Sequence, residues 1–500
     1  MSFFHRKYKE NINLPGSLDK LLEESSFDQN IQLIKDTYHS TINKDFVCRE
    51  FTMKQSSKKA ILFFYKSAVN SQQIEDSIIH PLQTIEGTEI QSIASVFTVA
   101  TVRYLDELVG KLNECDVILL IDGYKEAYTF SISQFQHRAI EKPANEGLIK
   151  GPKEAFTESL QVNHSLLRKR IYNENFVAES ISIGKRSKSN VSIMYIKNLA
   201  NEEVLKKVRD RLANINVDNV RTVELLEQYI EDRVYSVVPT LLYTERPDRA
   251  AAHIDDGYVV LMMENSSACL ILPVTFWSFF HAPEDHYLRL LFGNFTRLIR
   301  MAAFFITLFI SSLYIAVTNY HSEMLPPDLL FAIAASRERV PFPVVFEVLL
   351  MEFAFELIRE AGLRIPSPLG PTIGIVGALI LGQAAVEANI ISPIIVIVAA
   401  LSGLSSFAIT DVSFNFTLRI SRFIFIFSAT IFGIYGLTAC FLLWLMYLTS
   451  VTSFGVPYLA PLGPKYISSK DTLFRGALHK ERWRPEHLKP KDLKKNATRR

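Results

Sequence analysis

Residues 336–388 read SRERVPFPVVFEVLLMEFAFELIREAGLRIPSPLGPTIGIVGALILGQAAVEA, and the fold turns on how this stretch is understood. Its first half sets Glu347, Glu352, Glu356 and Arg359 in an apolar helical pattern. A corner at Pro366, Pro368 and Pro371 follows, and then an uncharged Gly/Ala/Ile segment over 370–386 that is about long enough to cross a bilayer. Polar groups therefore meet a membrane here. At about 100° per residue Glu352, Glu356 and Arg359 share one narrow face, with Glu347 nearly opposite. Unpaired carboxylates at that depth are costly, so they are expected to face a pore, a watery cavity or a partner. An ordinary Glu356–Arg359 ion pair on an interfacial helix is the plainer alternative.

The segment after the prolines has two faces. Gly374, Ala378 and Gly382 recur every fourth residue, the small-residue spacing at which helix backbones approach closely. Roughly opposite lie Ile373, Val376, Ile380, Gln383 and Glu387, apolar at one end and polar at the other. Such a face suits a pore with a hydrophobic constriction and a carboxylate at its mouth. The plainer alternative, which periodicity alone favours, turns the aliphatics to lipid and leaves Glu387 among the headgroups.

Working outward, residues 273–464 are expected to form a helical membrane domain of about four spans (301–318, 370–386, 390–409 and 423–449), with 342–358 as a re-entrant or interfacial helix. PVTFWSFF at 273–280 reads as an interfacial segment, and 451–462 as lying on or in the bilayer. Four spans return the chain's end to the side on which it started, yet leave Arg359, Arg364, Arg419 and Arg422 on the far side. A fifth crossing over 342–358 moves these inward but strands the basic tail outside, unless 451–462 turns back.

Before the membrane domain, residues 41–144 and 145–272 alternate strand and helix patterns and are expected to be two cytosolic α/β lobes, preceded by a variable appendage over 1–40. The fold class is thus an α+β two-lobed soluble region followed by an all-α multi-pass membrane domain. The start, MSFFHRKYKE, lacks the apolar core of a signal peptide, so the lobes are expected in the cytosol. The net charge of +2 conceals a basic tail over 465–500, which reads better as an anchor beside anionic lipid than as a nucleic-acid arm.

Cys48, Cys115, Cys269 and Cys440 are scattered, which argues against a disulfide framework or zinc. No HExxH or GxSxG occurs, Gly184-Lys185 lacks the upstream glycine of a P-loop, and Ser182–Lys185 matches SxxK only by chance. His281 and His286 flank Glu284 and Asp285 and read as a polar rim. No enzyme activity, cofactor or metal is expected.

Several motifs together resemble the A subunits of GerA-type spore germinant receptors. They are NEGLIKGPKEAFTESL at 145–160 with NHSLLRKRI at 163–171, ERPDR at 245–249, PFP at 341–343, Glu347, Met351-Glu352, ELIREAGLRIP at 356–366, and IVGALILGQAAV at 375–386. The resemblance spans residues 45–464. It implies a spore inner-membrane protein that works with a transporter-like B subunit and a lipoprotein C subunit, and whose membrane domains form a homo-oligomeric, nutrient-gated cation channel. A sporulation paralogue that senses no nutrient shares the architecture. A non-conducting scaffold and a transporter subunit remain the competing classes, although no repeat is visible across the spans.

Overall fold

A computed structural model describes residues 26–54, 58–84, 99–132, 143, 146–148, 150–364, 382–466 and 471–495. The helix α1 (Phe27–Thr37) opens it, closed at its start by a capping box between Ser26 and Gln29. Residues 46–132 then build an antiparallel sheet from β1 (Phe46–Thr52), β2 (Lys59–Tyr65), β3 (Val99–Val102), β4 (Val117–Ile121) and β5 (Ala127–Phe130), in the order β1-β2-β4-β5-β3. KAILFFY and VILLI are almost wholly buried because both faces of these inner strands are covered, hence their continuous apolar runs. α1 and α2 (Leu105–Asn113) cover one face, placing Ile31, Ile34, Leu108 and Leu112 in the same core as Ile61, Phe63 and Ile118. Residues 27–38 are therefore part of the first lobe rather than of an appendage. Tyr38 is fully buried and donates to Val109 O at 3.0 Å.

The second lobe contains α3 (Leu160–Arg168), β6 (Phe176–Ile183), β7 (Ser189–Ile196), α4 (Glu202–Ala213), α5 (Val223–Ile230), β8 (Leu242–Thr244), α6 (Pro247–Asp255), β9 (Val259–Met263) and β10 (Cys269–Leu272). Its sheet order, β6-β7-β9-β10-β8, is that of the first sheet strand for strand, and all its pairs are antiparallel. A helix precedes the opening hairpin of each sheet, and another precedes each central strand. The soluble region is one topology used twice. Between the lobes Asp45 and Arg168 form a buried ion pair at 3.3 Å, with the Arg168 guanidinium 4.0 Å from the Tyr65 ring centre and 4.6 Å from that of Phe176. α3 begins only at Leu160, and Phe156 ahead of it is already buried.

The helical part comprises α7 (Leu290–Tyr320), α8 (Pro327–Arg337), α9 (Val344–Arg364), α10 (Pro393–Ser406) and α11 (Val412–Ser450). Among the described residues, α7 and α11 are the helices long and apolar enough to cross a membrane by length and composition. α11 is not one rod. Val237 of the second lobe accepts a bond from Thr417 Oγ1 at 2.6 Å and donates its N–H to Tyr447 OH at 3.0 Å, whereas a straight helix would hold Thr417 and Tyr447 about 45 Å apart. The reversal lies at Gly433, at φ +59° and ψ −137°, and Ser428 Oγ reaches Gly436 O at 2.7 Å across the bend. Two antiparallel arms, 412–432 and 434–450, result. Aromatic pairs on α7 fix their levels: Phe304 meets Phe414 and Trp444, and Phe309 meets Phe425 and Phe441. This hairpin replaces the single span expected over 423–449.

α9 and α10 both run from the end of the bundle remote from the sheets toward the sheets. Val344 and Val348 share a core with Ile315, Ile395 and Ile426, while Arg359 lines one cleft with Glu146 and Arg249 of the second lobe. At 14 residues α10 is about 21 Å long, shorter than a bilayer core and than the 390–409 span expected. PVTFWSFF is not interfacial. Phe276, Phe279 and Phe280 are buried in a core shared by the second lobe and the bundle, where Phe276 touches Phe304, Phe414 and Tyr458. Residues 451–462 likewise enter the lobe: Ser453 Oγ donates to Thr240 O at 2.7 Å and Tyr458 OH to Pro239 O at 2.8 Å.

Candidate functional site

Inside the bundle the carboxylates of α9 meet arginines from the first arm of α11. Glu352 is fully buried and accepts from Ser311 Oγ of α7 at 2.5 Å, with Arg422 Nη1 2.8 Å from its other oxygen. Arg422 also donates to Ser402 Oγ of α10 at 2.8 Å and to Glu356 Oε1 at 2.7 Å. Arg419 completes the set as a bidentate partner of Glu356, its Nε lying 3.1 Å from Oε1. Two carboxylates thus balance two guanidinia, and four helices are tied at one level. Burying these charges costs less than their isolation would, because each carboxylate faces a guanidinium, although Glu352 Oε2 and Arg422 Nε are left without a hydrogen bond.

One turn nearer the sheets, Arg359 donates from Nη2 to Ser406 Oγ at 2.6 Å and to Gly403 O at 3.1 Å, and its guanidinium lies 4.3 Å from the Phe407 ring centre. It makes no ion pair among the described residues. The Glu356–Arg359 pair considered from sequence is absent because Glu356 is fully engaged by Arg419 and Arg422. At the remote end Glu347, also fully buried, accepts from Ser392 N at 2.8 Å, just where α10 begins, with Arg337 Nε at 3.4 Å. Glu347, Glu352, Glu356 and Arg359 therefore sit at three levels as fasteners between helices.

Of the pore candidates, Ile373, Val376 and Ile380 lie outside the described residues, as do Gly374 and Ala378 of the packing seam. Gly382 is buried against α10, where a Cβ would stand 3.5 Å from Val396 Cγ1. Gln383 and Glu387 are exposed, bonded to each other at 2.8 Å. The described part of this segment thus keeps Gly382 inward and Gln383 and Glu387, together with Ala384, outward.

A second knot closes the sheet end of α7. Asp285, fully buried, receives Arg297 Nε at 2.7 Å and Arg300 Nη2 at 2.6 Å, and Arg297 also pairs with Asp471 of the tail. Burial opposes ionisation of Asp285, yet Arg300 and Arg297 hold its carboxyl below the usual range. His281 is no rim residue: its Nε2 donates to Thr472 O at 2.7 Å, and burial, with Arg297 adding to it, lowers its pKa to about 4. His286, Asp471 and Glu481 offer ligand atoms within 4.8 Å of one another, but Arg297 and Lys495 already supply the positive charge there.

Sequence reasoning named Arg419 and Arg422 only as topology markers. Their signal was available: they are the only charges on a 39-residue apolar helix, which must give them buried acceptors.

The family model described as Bacillus/Clostridium GerA spore germination protein matches residues 32–487. Spore germination protein KA of Bacillus subtilis (strain 168) is 37% identical over 460 residues, covering 90% of this chain and 85% of its own. The uncharacterized membrane protein YfkQ of the same strain is 36% identical over 427 residues, covering 84% and 83%. A crystal structure of the N-terminal domain of the A subunit of the Bacillus megaterium spore germinant receptor GerK3 aligns with 26% identity and a TM-score of 0.39, over 50% of this chain and 96% of that one.

Proposed function

The chain belongs to the GerA family of spore germination proteins, and from that premise we propose that it is the A subunit of a nutrient-responsive germinant receptor whose helical domain is embedded in the spore inner membrane. Copies of that domain surround a cation path that opens when a nutrient binds the receptor. The subunit works beside a transporter-like B subunit and a lipoprotein C subunit, with both sheet lobes in the cytosol and no catalysis of its own.

One observation carries the pore reading. Over the described helical residues 382–387, Gly382 packs inward on α10 while Gln383 and Glu387 are presented outward. Polar groups turned away from their own bundle need water on that side. Neighbouring copies enclosing a shared path would supply it. α9 supports the same arrangement, since Phe346, Leu350, Phe353 and Leu357 form an exposed stripe at helical spacing that a neighbouring helix could cover. The internally paired charges of Glu352 and Glu356 act in this reading as rigid ties, not as pore lining. Arg359 and Ser392 lie at opposite ends of the bundle, so the proposal also takes the chain between them as a crossing.

Cation flux through liposomes holding the purified protein, with and without its partner subunits, tests this. Flux is expected when the partners and nutrient are present, and Ile380→Ser should leak without nutrient. Silence in every combination, with Ile380→Ser inserting normally, would leave a scaffold that holds other subunits.

A further inference from the structure

We propose that the cleft between the second lobe and the bundle binds the phosphate of an anionic phospholipid, with Arg359 as its principal ligand. The cleft encloses about 400 Å³ at the sheet end of the bundle. Four arginines line it, Arg246 at the N-cap of α6, Arg249 within α6, and Arg359 and Arg419 from the bundle, against the two carboxylates Glu146 and Glu284.

Most of that charge is already matched. Arg246 pairs with Asp248 at 3.0 Å, Arg249 with Glu146 at 2.6 Å, and Arg419 with Glu356. Arg359 is the exception among the described residues. Its carbonyl and hydroxyl acceptors orient the guanidinium without neutralising it, both bonds use Nη2, and the Phe407 face holds the plane. Five N–H donors in a rigid fork, mostly uncommitted, fit a phosphate better than a point charge would.

The wall selects an amphiphile rather than a free anion. Phe407 and Phe416 line the cleft and are 66% and 46% exposed, and Leu404, one helical turn before Phe407, is 69% exposed. Acyl chains lying along these residues would bring the headgroup to Arg359. This placement rests on the reading of the bundle as membrane-embedded, which puts the sheet end at headgroup level. Glu146 is no obstacle, because besides Arg249 it accepts from Thr244 Oγ1 and from Glu245 N at 3.0 Å.

The test uses the full-length protein in vesicles of equal phosphatidylglycerol and phosphatidylcholine, followed by native mass spectrometry. The wild type should retain phosphatidylglycerol in preference, and Arg359→Gln should lower its occupancy by about ten-fold or more. Arg233→Gln, an exposed cation beside Ser450 at the same end but outside the cleft, should retain it. Thr410→Glu, an exposed position lining the cleft, should expel the lipid even if Arg359→Gln folds poorly. Equal retention by Arg359→Gln and Thr410→Glu, equal loss in Arg233→Gln, or no preference between lipids overturns the proposal. So does thermal stabilisation of the wild type, but not of Arg359→Gln, by millimolar inorganic phosphate in vesicles of phosphatidylcholine alone, since the ligand would then be free phosphate. Release of the protein by alkaline carbonate would instead defeat the membrane reading itself.

Discussion

At the scale of single residues, stability rests on a few buried charges whose partners come from different helices. Removing Glu352 leaves Arg422 with half its compensation in a dry environment, so Glu352→Ala should destabilise the bundle by about 3 kcal/mol, measured by thermal unfolding in detergent. The double variant Glu352→Leu with Arg422→Met removes both charges and should recover most of that loss. Glu227 on α5 behaves in the opposite sense. Burial raises its carboxyl to about 8, with Glu231, Asp411 and Glu224 adding to the effect. Because the folded state binds its proton more tightly than the unfolded one, the stabilising protonated form is complete below the ordinary carboxylate range. That stability is lost as pH rises from about 4 to about 8. Glu227→Gln should therefore raise the unfolding free energy at pH 8 by on the order of 1 kcal/mol, after allowing for partial exposure, and leave it unchanged at pH 4, as read from thermal melts. A larger gain at pH 4 than at pH 8 would refute the assignment. That Glu352 and Glu356 share one face of α9 was legible in sequence; the groups they meet were not, because periodicity gives the face of one helix and not the neighbour opposite it.

At the scale of elements, the decisive feature is the reversal at Gly433. FSATIFGIYGLT carries no proline, asparagine or charge to mark a turn, so residues 423–449 read as one span. The turn works because glycine tolerates φ +59° with ψ −137°, and because Tyr320 at the end of α7 packs on the bare Cα, where a Cβ would stand 3.0 Å from Tyr320 Cβ. This reversal also removes the conflict met in the sequence, where the arginines and the tail came to one side only if a fifth crossing was followed by a return over 451–462. Arg359, Arg419 and Arg422 gather toward the sheets, and the second arm brings the chain back to them. Gly433→Val should break the hairpin, costing about 3 kcal/mol or more from backbone strain and overlap together. A cysteine placed at Ser450 reports the outcome: it should label from the lobe side in the wild type and lose that one-sided labelling in the variant. Unchanged labelling and melting would mean that the bend does not depend on Gly433. The lobes gave the reverse lesson. Their strands were legible from apolar runs and turns, but the repeated order was hidden, since pairing between distant strands leaves no local signal.

Over the whole molecule, the basic tail is a strap and not a free anchor. Asn294 and Arg475 exchange bonds at 3.1 and 2.8 Å at the foot of α7, and Arg297 holds Asp471. Farther on, Arg484 Nε reaches Asp255 O at 3.1 Å, Lys495 pairs with Asp256 at 2.7 Å, and Lys491 N donates to Leu199 O at 3.0 Å. The tail thus joins the foot of α7 to the second lobe, whose aromatic core already continues into the bundle through Phe276. Positive charge next to apolar spans suggested lipid, but composition cannot distinguish a cation paired with Asp256 from one paired with a headgroup. Ending the chain after Tyr466 tests the difference. If the tail is a strap, hydrogen exchange should accelerate at Asn201 to Asn214 and around Asp255 and Asn294 while the first lobe is unaffected, and the loss should persist in detergent, where no anionic lipid is present. If the tail is instead a lipid anchor, those amides keep their protection and only binding to anionic vesicles falls. A movement in the bundle would then have to reach the lobes through the aromatic core at Phe276, the bonds of Thr417 and Tyr447 to Val237 and the segment from Ser450 to Tyr458, because the tail would no longer add a further tie between the two halves.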